Sequence, residues 1–193
     1  SFKFRSGEFV MIGLLDSYNK PILRAYSICS PSWSEELEFY SIIVKDGPLT
    51  SKLKNIKIGD EIIMMPKSTG TLVLEALKPG KRLFLLSSGT GFAPFAALIR
   101  EPETYERFES IVVTHTCRMI SELAYSRSII QECKNDQLIK EFIDNKLLSY
   151  HSTTRDNYIF NGRITKLISS GKLFNDLKIK SIFAENYHIS LKV

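Results

Sequence analysis

A glycine-rich turn between an apolar run and a helix start is the first stretch of this sequence that could bind a ligand. The apolar residues 83–86 predict a buried strand, Gly89, Thr90 and Gly91 predict a turn, and Pro94 suits the first position of a helix. Such a turn points backbone N–H groups at a phosphate, and glycine allows the ligand a close approach. Pro94 stands where the dinucleotide-binding fingerprint has its third glycine, so an ordinary strand-to-helix turn stays open as an alternative.

Arginines follow the ends of two further predicted strands. Arg118 follows the apolar strand at 110–116, Arg155 follows the strand at 147–153, and Arg163 comes shortly afterwards. Ligands of parallel sheets lie beyond the carboxyl ends of the strands, where a guanidinium group can bind phosphate oxygens. Three arginines beside a phosphate loop favour a ligand with an additional phosphate, as on the ribose of NADP. Exposed strand ends with unrelated surface arginines are the alternative.

The N-terminal half contains a stretch that could hold an aromatic cofactor. Arg24 offers donors for phosphate, Tyr26 a flat ring for stacking, and Ser27 a hydroxyl for a ring nitrogen. On a strand, Arg24 and Tyr26 share one face and Ser27 lies on the other. An ordinary edge strand with a surface arginine and a half-buried tyrosine is the alternative interpretation.

Two further groupings have weaker chemical interpretations. The turn at 47–51 leads into a predicted helix at 49–56, and its hydroxyls could bind an anion or simply cap the helix. His115 and Cys117 would face the same side of a strand as a base and a nucleophile, but no orienting acid is evident. We therefore interpret this pair as packing residues.

These candidate residues lie on two arrangements of secondary structure. Short strands separated by turn signals predict a small antiparallel β-barrel over residues 1–80, with strands at 9–12, 23–29, 37–45 and 61–65. From residue 81 onward strands alternate with helices, which predicts an α/β domain with a parallel sheet over residues 81–193. Its predicted strands are 83–86, 110–116 and 147–153. Its predicted helices are 93–100 and 163–170, the stretch at 122–145 is predicted to be mostly helical, and 102–108 is predicted to be a connector with helical character.

Composition narrows the class of protein. The 193 residues carry 26 basic and 21 acidic side chains, a net charge of +5, which favours anionic ligands or an acidic partner without requiring nucleic acid. The three cysteines and three histidines show no metal-ligand or disulfide spacing, so we predict no metal site and a cytoplasmic location. No apolar run approaches the ~20 residues that span a bilayer, and no leader-like segment opens the chain, so we expect no membrane insertion.

Together and in this order, the motifs resemble the ferredoxin–NADP reductase family, and most of all its bacterial branch, the flavodoxin/ferredoxin reductases. The similar segments, within residues 1–177, are FRSGEFVMIGL, RAYSI, DGPLTSKL, SSGTGFAPF, LIREPETYERFE and NGRIT. The resemblance implies a noncovalent FAD on the barrel and NADP(H) on the parallel-sheet domain. It also implies an oxidoreductase in which hydride passes between nicotinamide and flavin N5, and single electrons pass to or from ferredoxin or flavodoxin, an acidic carrier.

The resemblance assigns roles to individual residues. Tyr26 would stack on the flavin ring and Ser27 would hydrogen-bond near flavin N5, which makes these two the expected catalytic residues. Arg24 would bind the FAD pyrophosphate, and Thr90 would lie between flavin and nicotinamide. The remaining expected cofactor-binding residues are Ala25, Tyr40, Pro48, Leu49 and Thr50 on the barrel, and Gly89, Gly91, Thr116, Arg118, Arg155 and Arg163 on the α/β domain.

The sequence departs from the family pattern at both ends. Family members begin with further strands before Ser1 and continue beyond Val193, and the run after Leu177 no longer matches them. We therefore expect a C-terminally incomplete fragment without the strand that completes the nicotinamide pocket, and a monomer if the chain were complete. The alternatives are a flavin and NADPH reductase module for another acceptor, such as an oxygenase, and an inactive nucleotide-binding fragment.

Overall fold

The computed structural model describes residues 2–78 and 80–181, and an antiparallel sheet forms its N-terminal part. The strands are β1 (Phe9–Leu15), β2 (Pro21–Ser27) and β3 (Ile63–Met64), in the order β2-β1-β3. β1 and β2 pair along their whole length, and the short helix α1 (Thr50–Leu53) lies between β2 and β3 in the chain. Alternate residues of β1, Val10 and Ile12, are buried, as expected for a sheet with one face on the core.

A parallel sheet with helices forms the C-terminal part. Its strands are β4 (Gly80–Ser88), β5 (Phe108–Cys117) and β6 (Leu147–Thr153), in the order β4-β5-β6. The central strand β5 is buried over most of its length because helices cover both faces of such a sheet. The helices are α2 (Ala93–Leu98), α3 (Pro102–Arg107), α4 (Ala124–Asn135), α5 (Lys140–Lys146), α6 (Ile164–Ser169) and α7 (Lys172–Asp176).

This architecture confirms the predicted fold class, an antiparallel β part followed by a parallel α/β part. The largest apolar core packs β4 and β5 against α2, α4 and α5. A second, smaller core gathers around Val10, Ile12 and Ile28 in the antiparallel part. Within residues 2–78 and 80–181, no helix is both long enough and apolar enough to cross a membrane.

The strand predicted at 37–45 is wrong over most of its length. Phe39 makes an isolated bridge to Ile28, and residues 42–44 are about half exposed and outside any strand. β-branched side chains favour a strand only where a neighbouring strand pairs with the backbone. β2 itself ends at Ser27, and within the described residues no strand pairs with the run that follows Phe39.

Two helical stretches are divided more finely than the sequence indicated. The stretch at 122–145, predicted to be mostly helical, consists of the end of a 3-10 turn (Ile120–Leu123), α4 and most of α5, with a break between the two α-helices. Gly171 lies at the end of α6 and at the start of α7, a helix that the sequence did not indicate. A glycine with φ of 75° permits both because it reverses the chain between two helices.

The two parts of the chain meet at the residues that follow α2. Arg100 donates hydrogen bonds to the Cys29 carbonyl oxygen at 2.5 Å and to the Glu38 carboxylate at 2.7 Å. Glu101 is 8% exposed, and its carboxylate accepts a hydrogen bond from the Ser32 N–H at 2.7 Å. These bonds hold the segment that follows β2 against the C-terminal end of α2.

Candidate functional site

A cleft of about 620 Å³ opens beyond the carboxyl ends of the parallel strands. Its volume lies in the range of ~300–1,000 Å³ that is usual for small-molecule sites. Its lining residues are Tyr40, Ile42, Ser88, Gly89, Thr90, Thr116, Cys117, Arg118, Glu122, Thr154, Arg163, Ile164 and Thr165. This is the edge at which parallel sheets bind their ligands.

The glycine-rich turn forms one wall of the cleft. The 3-10 turn Gly89–Phe92 leads directly into α2, which has Pro94 in its first turn. Gly89 has a φ of 51°, and nothing lies within 4 Å of the position that a Cβ atom would take there. A ligand that approaches Gly89 therefore meets the peptide backbone rather than a side chain.

A buried histidine contacts this turn from the core. Nε2 of His115 lies 2.9 Å from the Gly89 carbonyl oxygen, and Nδ1 lies 2.7 Å from the Ser126 hydroxyl oxygen. The imidazole stacks on the Phe92 ring, with the ring centroids 5.0 Å apart. Burial lowers the pKa of His115 below its ordinary value, so the ring is neutral at neutral pH.

His115 and Cys117 do lie together, with 3.1 Å between Nε2 and Sγ. Burial raises the pKa of the Cys117 thiol to about 11, so it stays protonated at neutral pH. A protonated thiol beside a neutral imidazole provides no thiolate nucleophile. This geometry argues against nucleophilic catalysis by the pair.

Two of the three predicted arginines line the cleft. These are Arg118 and Arg163, whereas the Arg155 N–H donates to the Arg118 carbonyl oxygen at 3.0 Å, which places Arg155 beside the cleft. The Glu122 carboxylate accepts hydrogen bonds from the N–H groups of Met119 at 3.0 Å and Arg118 at 2.7 Å. Both bonds lower the pKa of Glu122, and the bond from Met119 has the larger effect. They also hold the segment that carries Arg118 in place.

Tyr40 brings the antiparallel part of the chain to the cleft. Its ring stacks on that of Tyr125 in α4, with centroids 4.4 Å apart and an interplanar angle of 12°. Its hydroxyl lies 3.4 Å from the Glu122 carbonyl oxygen, and burial raises its pKa, so it stays a neutral phenol. Tyr40 therefore lies where the two parts of the chain meet.

The predicted residues of β2 lie outside this cleft. Arg24 and Tyr26 share one face of β2, because each pairs with one of the buried residues of β1, whereas Ser27 faces the other way. Arg24 is exposed and donates to the Leu23 carbonyl oxygen at 2.8 Å. Tyr26 is half-buried and packs against the core around Val10. This face of β2 therefore presents a guanidinium and an aromatic ring side by side.

The predicted residues around α1 are positioned less favourably for side-chain contacts with a ligand. The Leu49 side chain is 2% exposed and belongs to the packed interior. The Thr50 hydroxyl accepts a hydrogen bond from the Val44 N–H at 3.1 Å and donates to the Val44 carbonyl oxygen at 3.2 Å. Pro48 is exposed. A cofactor at this turn would therefore meet mainly its backbone.

The structure brings together part of the predicted site and adds residues to it. The predicted residues that line the cleft are Tyr40, Gly89, Thr90, Thr116, Arg118 and Arg163, and those that do not are Gly91, Arg155 and the predicted residues of 24–27 and 48–50. Residues that the sequence did not single out are Ile42, Ser88, Glu122, Thr154, Ile164 and Thr165. Glu122 lacked the usual capping-box signal, because Met119 rather than a serine or threonine stands three residues before it.

Comparisons with known proteins find similar reductases, although no family model matches the chain. It is 57% identical over 179 residues to the flavodoxin/ferredoxin–NADP reductase of Rhodobacter capsulatus, which covers 93% of the chain and 66% of that protein. It is 48% identical over 182 residues to the ferredoxin–NADP reductase of Azotobacter vinelandii, covering 94% of the chain and 70% of that protein. Among solved structures, a ferredoxin NADP+ reductase from Neisseria gonorrhoeae with bound FAD and NADP matches with a TM-score of 0.81 at 25% identity, over 93% of the chain and 70% of that structure. The chain thus spans about two thirds of the length of these relatives.

Proposed function

Because the chain belongs to the bacterial ferredoxin/flavodoxin–NADP reductase family, we propose that it forms the cofactor-binding part of an FAD-dependent oxidoreductase that passes electrons between NADP(H) and a ferredoxin or flavodoxin. The cleft carries this proposal, because a glycine-rich turn there faces exposed arginines at the carboxyl edge of a parallel sheet. Residues 1–80 would bind FAD, and residues 81–193 would bind NADP(H).

The cleft has donors suited to NADP(H). The backbone of Gly89 and Thr90 would face the pyrophosphate, since a Cβ at Gly89 would meet open space rather than protein. Arg118 and Arg163 would bind the adenosine end and its 2′-phosphate, with Arg155 beside them. A guanidinium suits this phosphate because its planar fork can bind two oxygens at once.

The antiparallel part has the groups that FAD would need. Arg24 would pair with the pyrophosphate, Tyr26 would stack on the flavin ring, and the Ser27 hydroxyl would hydrogen-bond near flavin N5. When bound, FAD supplies the redox chemistry, because it exchanges hydride with nicotinamide and single electrons with a carrier. The protein would contribute orientation and the exclusion of water from the flavin.

The electron carrier would be acidic. The net charge of +5 favours association with an acidic ferredoxin or flavodoxin through long-range attraction. Turnover measured separately with a ferredoxin, a flavodoxin and an oxygenase component distinguishes this carrier from the alternative acceptor. A falling rate with rising salt is expected for the true partner.

The proposal is tested first by cofactor binding. The purified chain mixed with FAD should be yellow after removal of free flavin, and anaerobic NADPH should bleach the flavin absorbance. A dye acceptor should then be reduced in an NADPH-dependent manner. A folded chain that stays colourless after incubation with FAD would refute the proposed function.

Arg118→Ala tests the assignment of NADP(H) to the cleft. Loss of a charged hydrogen bond to phosphate should raise the Kd for NADP+ by about 10- to 100-fold and leave FAD binding unchanged. Arg107→Ala, on α3 and paired with Glu103, is the matched control and should change neither affinity. Equal loss of FAD and NADP+ by the Arg118 variant would contradict the division of the cofactors between the two parts.

A further inference from the structure

We propose that His115 is a positioning residue, whose bond to the Gly89 carbonyl oxygen turns the next peptide N–H, that of Thr90, toward the cleft as a donor for the dinucleotide. The inference rests on the proposed function for the identity of the ligand. It assigns His115 a role that differs both from packing and from acid–base chemistry.

The geometry follows from one planar peptide group. In a trans peptide the carbonyl oxygen and the N–H point in opposite directions, and the described chain contains no cis peptide bond. His115 is 1% exposed and holds the Gly89 oxygen from the core side at 2.9 Å. The N–H of Thr90 must then point away from the core, and Thr90 lines the cleft.

On its Gly89 side this peptide has little steric restraint. Gly89 has a φ of 51°, and the space around its missing Cβ is open, so no side chain of its own limits the rotation there. The hydrogen bond from the imidazole therefore favours one orientation over the other.

The contacts of the ring select one tautomer. The Gly89 carbonyl oxygen can only accept, so Nε2 of His115 carries the hydrogen, and the Cys117 thiol, 3.1 Å from Nε2, directs its own hydrogen to the Glu122 carbonyl oxygen at 3.7 Å. In the neutral ring Nδ1 is then an acceptor, and the Ser126 hydroxyl, 2.7 Å away, donates to it. The same hydroxyl lies 3.1 Å from the Leu123 carbonyl oxygen, the longer of its two contacts. Ser126 thereby stabilises the tautomer that binds the turn.

Two substitutions separate the donor from the packing. His115→Gln retains an N–H donor near the Nε2 position, whereas His115→Phe keeps an aromatic ring against Phe92 and removes the donor. His151→Gln is the control, because His151 is the register partner of His115 on β6. Each variant is titrated with NADP+ and with adenosine 2′,5′-diphosphate, which has the adenosine end but lacks the pyrophosphate and nicotinamide.

We expect the loss of the donor to weaken the binding of NADP+ more than the binding of adenosine 2′,5′-diphosphate. His115→Phe should raise the Kd for NADP+ about tenfold and the Kd for adenosine 2′,5′-diphosphate less than about twofold, while His115→Gln and His151→Gln stay close to wild type. Equal weakening of both ligands, or an equal loss in the Gln and Phe variants, would overturn the role of His115. A wild-type chain that binds neither ligand would instead refute the proposed function.

The tautomer can be tested without any ligand or variant. Nitrogen-15 chemical shifts of the His115 ring in the wild-type chain should show a neutral imidazole with hydrogen on Nε2 at neutral pH. A ring with hydrogen on Nδ1 would overturn the inference whatever the cofactor experiments show, because Nε2 could not then donate to Gly89.

Discussion

Replacing Arg100 by methionine should destabilise the chain by about 2–4 kcal/mol. Methionine keeps much of the apolar stem of the arginine and removes its charge and donors. The Cys29 carbonyl, in a fully buried residue, would lose its donor at 2.5 Å, which costs about 1–3 kcal/mol. The bond to Glu38 adds less, about 1 kcal/mol, because that side chain is 37% exposed and regains water.

Urea unfolding measures this loss at two places in the molecule. Trp33, the one tryptophan of the sequence, follows Ser32 in the segment that Arg100 and Glu101 hold, so its fluorescence reports on the junction. Circular dichroism reports on the secondary structure of both parts. In Arg100→Met the fluorescence transition should move to lower urea and precede the transition seen by circular dichroism.

Two further variants calibrate the result. Lys172→Met breaks an ion pair between the exposed Lys172 and the partly buried Asp176 and should cost no more than about 1 kcal/mol. Arg100→Lys keeps the charge without the planar fork and should fall between the wild type and Arg100→Met. An Arg100→Met variant no less stable than Lys172→Met would refute the reasoning that these bonds stabilise the junction.

Three more predictions follow from buried groups. Tyr105→Phe removes a donor to the Ile99 carbonyl oxygen at 2.6 Å and should lower the stability by about 1–2 kcal/mol in thermal unfolding; an unchanged Tm would contradict this. Burial raises the pKa of all three cysteine thiols, so the native chain should react with Ellman's reagent at pH 7 far more slowly than the urea-unfolded chain. Burial lowers the pKa of His151 to about 4, from an ordinary value of about 6.5. Between these two pH values the unfolded chain binds more protons at this residue, so the free energy of unfolding falls as the pH is lowered from about 6.5 to about 4. His151→Gln should flatten that part of the plot of stability against pH, and an unchanged slope would contradict the prediction.

Local patterns predicted the parts of the fold that depend on local information. The strand β6 has its predicted bounds, and charged residues mark both of its ends, with Lys146 before it and Arg155 and Asp156 shortly after it. The run at 37–45 has stronger β-forming residues, but a strand depends on a partner that propensity does not reveal. Sequence patterns thus identified most strands and failed where pairing decided the outcome.

The site was predictable where strand ends determine it. Gly89 and Arg118 follow adjacent strands, and the parallel register brings them to one edge. The bond between His115 and Gly89 joins residues 26 positions apart and depends on how β4 and β5 align, which no local pattern specifies. The stacking of Tyr40 on Tyr125 likewise depends on how the two parts of the chain dock.

The contacts at the two ends of α2 have a consequence for insertions and deletions. The glycine-rich turn leads into this helix, and the residues directly after it hold the segment that follows β2. Each residue of an α-helix adds about 1.5 Å of length and about 100° of rotation. One residue added to or removed from Ala93–Leu98 would therefore turn Arg100 and Glu101 away from their partners while leaving the composition of both proposed cofactor sites intact. We expect substitutions within α2 to be tolerated far more readily than any change in its length.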